Sequence, residues 1–105
     1  MAGLSTHVLD LAGGRPTEGM TVTLERSIDD GWEQVGEGVT DGNGRIGALG
    51  DALVSGVYRL VFATGDAGNA LYPEVHLIVD IEADEEHYHV PLLLSPYGFT
   101  TYRGS

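Results

Sequence analysis

His87 and His89 stand two residues apart in His87-Tyr88-His89-Val90-Pro91-Leu92-Leu93-Leu94. In an extended chain, residues i and i+2 project to the same side. Tyr88, Val90, Leu92 and Leu94 form an apolar face, so His87, His89 and Leu93 share the other one. The imidazoles are expected to point away from a core. Three uses of such a pair are open. It can be an ordinary solvated strand face. It can start a metal site, since neutral imidazole is a common ligand, but two histidines need a third His, Asp or Glu, and no motif specifies one. It can also serve acid–base chemistry, for which an imidazole of ordinary pKa about 6.5 is suited at neutral pH.

Other chemistry-bearing residues are scattered. His7 lies in Leu4-Ser5-Thr6-His7-Val8-Leu9-Asp10, and Arg45 follows the turn Asp41-Gly42-Asn43-Gly44. Taken alone, His7 reads as an exposed strand residue and Arg45 as a loop charge. Arg103, in Tyr102-Arg103-Gly104-Ser105, belongs either to a frayed end or to a segment docked beside the apolar strand. His76 faces the polar side of its segment and is assigned no role. Arg15, Arg26 and Arg59 read as surface charges.

Composition narrows the chemistry further. With no cysteine there is no thiol nucleophile, no thiolate metal site and no disulfide. The formal net charge of −11 repels phosphate backbones and anionic lipid, so neither nucleic acid nor a membrane is an expected partner. No apolar run approaches spanning length, and Met1–His7 lacks the basic start and apolar stretch of a secretory signal. A cytoplasmic location is the resulting expectation. A length of 105 residues suits one domain, residues 1–105, and oligomerisation commonly stabilises a domain this small without covalent staples.

The elements that must position these residues are strands. Apolar and polar residues alternate at Met20–Glu25, Tyr58–Phe62, Val75–Ile81 and 87–94, with further strand signals at 4–9, Trp32–Val39 and Phe99–Arg103. Turn-forming clusters separate them at Ala12–Pro16, Ile28–Gly31, Asp41–Gly44 and Ser95–Gly98, and Ala83–Glu86 reads as a hairpin loop. One short helix is expected over Asp66–Tyr72. The pattern predicts an all-β chain of about seven to eight strands folded as an antiparallel β-sandwich.

Three segments together resemble the 5-hydroxyisourate hydrolases, the enzyme branch of the transthyretin-like family. They are Leu4–Asp10 with Gly14-Arg15-Pro16, then Thr40–Arg45, then His87–Pro96 through to Tyr102-Arg103-Gly104-Ser105. Leu71-Tyr72-Pro73-Glu74-Val75 also resembles the family. The hormone-carrying transthyretins differ at the terminal tetrapeptide and lack these histidines. Thr17, where alanine often follows the proline, and the Gly/Ala-rich 66–70 loop depart from the family pattern.

The resemblance implies a transthyretin-like sandwich assembled as a homotetramer, a dimer of dimers whose central channel holds the active sites. It implies hydrolysis of a small molecule, 5-hydroxyisourate, at a cyclic C–N amide bond, giving 2-oxo-4-hydroxy-4-carboxy-5-ureidoimidazoline without metal or organic cofactor. Carried over by position, the catalytic set is His7, Arg45 and His89, with Tyr102, Arg103, Gly104 and Ser105 against substrate. His87 is expected to be a non-catalytic neighbour. The alternative function is a transthyretin-like carrier of a small aromatic ligand, which would need none of this set.

Overall fold

Ten strands form in the computed structural model, which describes all residues Met1–Ser105. They are β1 (Ala2–Asp10), β2 (Arg15–Pro16), β3 (Thr21–Ile28), β4 (Gly31–Val39), β5 (Arg45–Leu53), β6 (Gly56–Phe62), β7 (Val75–Ile81), β8 (His87–His89), β9 (Leu92–Ser95) and β10 (Gly98–Thr101). One sheet has the order β4-β3-β6-β7 and is antiparallel throughout. The other is built around β1, which pairs antiparallel with β5 and β2 and parallel with β8 and β9, and β10 closes a hairpin on β9.

Alternation explains what lies between the sheets. Leu4 and Val8 of β1, Val22 and Leu24 of β3, Leu60 and Phe62 of β6 and Leu92 of β9 are fully buried. They belong to one contiguous apolar cluster, so the two sheets close on a single core. Each such side chain contributes about 1.5–3 kcal/mol by leaving water. The buried hydroxyls are all engaged. Thr6 donates to the Val90 carbonyl at 2.6 Å, Thr64 donates to the Tyr72 carbonyl at 2.6 Å, and Thr40 accepts from the Met20 amide at 2.9 Å.

Four expectations are corrected. The helix over Asp66–Tyr72 does not form. The chain there makes successive single turns, Asp66 to Ala63, Ala67 to Thr64 and Gly68 to Gly65, each closed by an i to i−3 bond. Gly68 at φ +89° stops propagation, and the Asn69 side chain accepts from the amides of Leu71 and Tyr72, which a helix would have needed. The sandwich is also not wholly antiparallel, because β8 and β9 run alongside β1 in the same direction.

The strand count exceeds seven to eight for two reasons. Pro91, with no amide hydrogen to give, divides 87–94 into β8 and β9, which keep the same register on β1. The strand β5 was also not visible as an alternation. Its buried apolar positions, Ile46, Leu49 and Leu53, are spaced by three and four residues, and its pairing with β1 contains two irregularities that absorb this spacing. Finally, Ala83–Glu86 is no hairpin loop. It carries the chain from β7 in one sheet to β8 in the other. No helix is long and apolar enough to cross a membrane.

Candidate active site

A central strand with neighbours on both edges brings distant residues together. On one edge of β1, His7 is opposite Arg45 of β5. On the other edge, Gly3 is opposite His87 and Ser5 opposite His89. Directly paired residues project to the same face of a sheet. Because Leu4, Thr6 and Val8 face the core, Ser5, His7, Arg45, His87 and His89 converge on the outer face.

Ser5 joins the two histidines. Its Oγ lies 2.8 Å from Nε2 of His87 and 2.7 Å from Nδ1 of His89. The only ring nitrogen of His89 left for another partner is therefore Nε2. His89 lines a cleft of about 260 Å³ together with Ser5, Arg45, Ile46, His87 and Ser105. Burial, more than any charge, holds the His89 pKa below its ordinary 6.5, and electrostatic interaction with Arg45, His7 and His87 acts in the same direction. The lowered pKa favours the neutral imidazole, the form a base requires.

The turn before β5 fixes Arg45. Asp41 accepts at its Oδ1 from the amides of Asn43 at 2.9 Å and Arg45 at 3.0 Å, and its own amide donates to the Arg45 carbonyl at 3.0 Å. The Arg45 amide bond is the main cause of a lowered Asp41 pKa, followed by the Asn43 bond. The Arg45 guanidinium forms no ion pair, unlike Arg59 with Glu25 and Arg103 with Glu85. It is free to bind a ligand.

Gly44 completes this turn at φ +75°, where a Cβ would lie 2.5 Å from the Val8 carbonyl oxygen and 2.9 Å from Pro16 Cβ. Gly44→Ala is expected to lower stability by at least about 1–2 kcal/mol from the left-handed backbone alone. For a domain of this size that lowers Tm by about 4–8 °C for each kcal/mol. Thermal denaturation with an unchanged Tm would contradict the steric account.

The terminal tetrapeptide divides. Gly104 bridges to His89, its amide donating to the His89 carbonyl at 2.7 Å, and Ser105 lines the histidine cleft. Tyr102 and Arg103 line a different cleft, of about 390 Å³, with Ile78, Tyr88 and Val90. There the Arg103 guanidinium sits 4.4 Å from the centre of the Tyr88 ring and 3.7 Å from Glu85. Of the residues expected at the site, His7, Arg45, His89, Gly104 and Ser105 are thus brought together, while Tyr102 and Arg103 flank the opposite side of β8. No group of three or more His, Cys, Asp or Glu side chains is arranged to hold a metal ion.

Sequence reasoning missed Ser5. The available signal was its position two residues before His7, which places both on one strand face. Its contact with His87 and His89 depends on the parallel pairing of β1 with β8, which local pattern does not reveal.

Comparison with known proteins bears on this arrangement. The model of the HIUase/Transthyretin family matches residues 4–104. The 5-hydroxyisourate hydrolase of Salmonella typhimurium is 46% identical over 109 residues, covering 97% of this chain and 80% of that protein. The one from Caulobacter vibrioides is 40% identical over 115 residues, covering all of both. Among solved structures, Klebsiella pneumoniae 5-hydroxyisourate hydrolase superposes with a TM-score of 0.89 at 37% identity over 100% of both chains. Sea bream transthyretin in complex with thyroxine gives 0.90 at 29% identity, over 97% of this chain and 94% of that one. The backbone is equally close to a hydrolase and to a transthyretin, so side chains must decide between them.

Proposed function

Because this chain belongs to the HIUase/Transthyretin family, we infer that it is a 5-hydroxyisourate hydrolase acting in urate degradation. The observation that carries this is the convergence of His7, Arg45 and His89 on one sheet face, where Arg45 and His89 line a shared cleft, in a chain 40–46% identical to proteins named for that activity. Hydrolysis needs a water made nucleophilic, a stabilised carbonyl oxygen and a proton for the departing nitrogen. His89, through Nε2, takes a proton from water and returns it to the ring nitrogen as the C–N bond breaks. Arg45 offers a planar fork of donors to the substrate's urea-like edge or to the developing oxyanion. His7, beside Arg45, orients the water or polarises the carbonyl. Gly104 and Ser105 border the substrate, while Tyr102 and Arg103 fix the terminal segment that carries them.

The same proposal takes residues 1–105 as one catalytic unit that needs no cofactor. It assembles as a homotetramer, a dimer of dimers with the clefts facing a shared channel, and works in the cytoplasm. A carrier function is the competing proposal, favoured by the closeness of the backbone to a thyroxine-bound transthyretin. Freshly generated 5-hydroxyisourate separates the two, followed by absorbance and by circular dichroism of the product. The hydrolase accelerates decay and yields one enantiomer. A carrier leaves the spontaneous rate and a racemic product, and that result would remove the enzymatic assignment.

A further inference from the structure

We propose that Ser5 couples His89 to His87 as a proton relay, making Ser5 a positioning residue and His87 the outlet through which the reaction's surplus proton reaches solvent. This rests on the hydrolase assignment for its purpose, though not for its geometry. A serine hydroxyl has one hydrogen to donate and can accept others. Ser5 Oγ contacts two imidazole nitrogens, at 2.8 Å and 2.7 Å, and in the relay it donates to one and accepts from the other. In the resting arrangement the Nδ1–H of His89 donates to Ser5, and Ser5 donates to Nε2 of His87. Nε2 of His89 then carries a lone pair toward the cleft. Reversing both bonds places the His89 hydrogen on Nε2 instead. The tautomers of the two histidines are therefore set together by one hydroxyl.

The chemistry gives this coupling a task. Opening a cyclic amide with water protonates the departing nitrogen and leaves a carboxylic acid, which ionises at neutral pH. Each turnover therefore releases one proton beyond the one delivered to nitrogen. When that proton resides on His89, the His89 Nδ1–H passes to Ser5 Oγ as the Ser5 hydrogen passes to His87 Nε2. His89 returns to neutrality with its hydrogen on Nε2, and His87 becomes the imidazolium and gives its Nδ1 hydrogen to solvent. Exchange of the ring hydrogens with solvent after product leaves restores the Nε2 lone pair. His87 is exposed and His89 half-buried, so the transfer runs from the shielded ring to the wet one.

The surroundings support that direction. Around His89 stand His7 of β1, Arg45 of β5 with Asp41 behind it, and His87 of its own strand. Three of these four are cationic or can become so. Near His87, Arg103 and Glu85 form an exposed pair, with Arg103 Nη2 3.5 Å from the His87 carbonyl oxygen. Gly3 gives the His87 ring its place, since a Cβ there would lie 2.9 Å from Nδ1.

The test uses the intact protein in two measurements. Ring ¹⁵N NMR, without substrate, should show His87 and His89 titrating as a coupled pair in the unaltered chain and independently in Ser5→Ala. In steady-state kinetics, Ser5→Ala should lower kcat about tenfold or more with little change in KM, and shift the acidic limb of the pH–rate profile. Ser5→Thr, which keeps the hydroxyl, should restore both. His87→Ala should lose rate at low buffer and regain it as imidazole is added, because a small base can replace an exposed proton acceptor. Identical ¹⁵N titrations and pH–rate profiles with and without Ser5, or His87→Ala at full rate in dilute buffer, would overturn the relay. If the NMR coupling is present but 5-hydroxyisourate decays no faster with the protein, the hydrolase assignment fails and the relay geometry stands.

Discussion

His89→Asn is expected to lower kcat by about two to four orders of magnitude, the contribution of a positioned acid–base group. The substitution is chosen because the asparagine side chain can still hydrogen-bond Ser5 from near the position of Nδ1, while nothing replaces the titrating Nε2. Thermal stability should change little, since His89 is only half-buried and lies outside the apolar cluster. Steady-state kinetics beside a melting curve check this. A rate within a few-fold of the original, with the same Tm, would remove His89 from the mechanism.

The same residue sets a pH dependence whose sign follows from its environment. Burial first, then Arg45, His7 and His87, lower the His89 pKa below 6.5. A general base acts in its neutral form, so activity is full above this lowered pKa and declines as pH falls through it. The acidic limb of the profile therefore lies below pH 6.5. Stability follows the same sense. The unfolded chain protonates its histidine at about 6.5, before the folded chain does, so the contribution of neutral His89 to stability begins to be lost below that pH. The loss is complete once pH has passed the folded pKa.

How much of this was legible in the sequence depends on the range of the interaction. The split of His87 and His89 from Tyr88, Val90, Leu92 and Leu94 follows from period-two alternation, and the burial of those four apolar residues matches it. The arrangement of the site around β1 was not legible, because it depends on pairings between residues some eighty positions apart. Ser5 is the clearest loss. Nothing local distinguishes a serine that bridges two imidazoles from one that faces water. The strand carrying Arg45 was obscured differently. Gly47, Ala48, Gly50 and Ala52 have weak strand preference, and the irregular pairing of Arg45–Leu53 destroys its alternation. The resemblance to hydrolases supplied His7 and Arg45 where pattern could not. It also grouped Tyr102 and Arg103 with Gly104 and Ser105, which this single chain divides between two clefts.

Gly104→Ala is the second substitution with a large expected effect, about 100-fold in kcat, the cost of displacing a catalytic group by about 1 Å. A Cβ at position 104 would lie 2.6 Å from Cδ2, 3.3 Å from Cγ and 3.5 Å from Cβ of His89. Cβ and Cγ are the root of the side chain and Cδ2 lies in the rigid ring they carry, so the contact cannot be relieved by moving a flexible tip. Two responses are available. The His89 ring turns away and gives up its 2.7 Å contact with Ser5, or the terminal segment withdraws and breaks the 2.7 Å bond from the Gly104 amide to the His89 carbonyl. The first moves Nε2, and the second moves Ser105 out of the cleft. Either response costs turnover while leaving the core untouched. In a roomy site the opposite would hold, because alanine reduces the freedom of the unfolded chain and stabilises by about 0.4–1 kcal/mol where its backbone fits. Kinetics and thermal denaturation of this one variant therefore decide the matter. Lost activity with an unchanged or lower Tm follows from close packing of Gly104 on the histidine. Full activity with a raised Tm would mean that the glycine is not needed there.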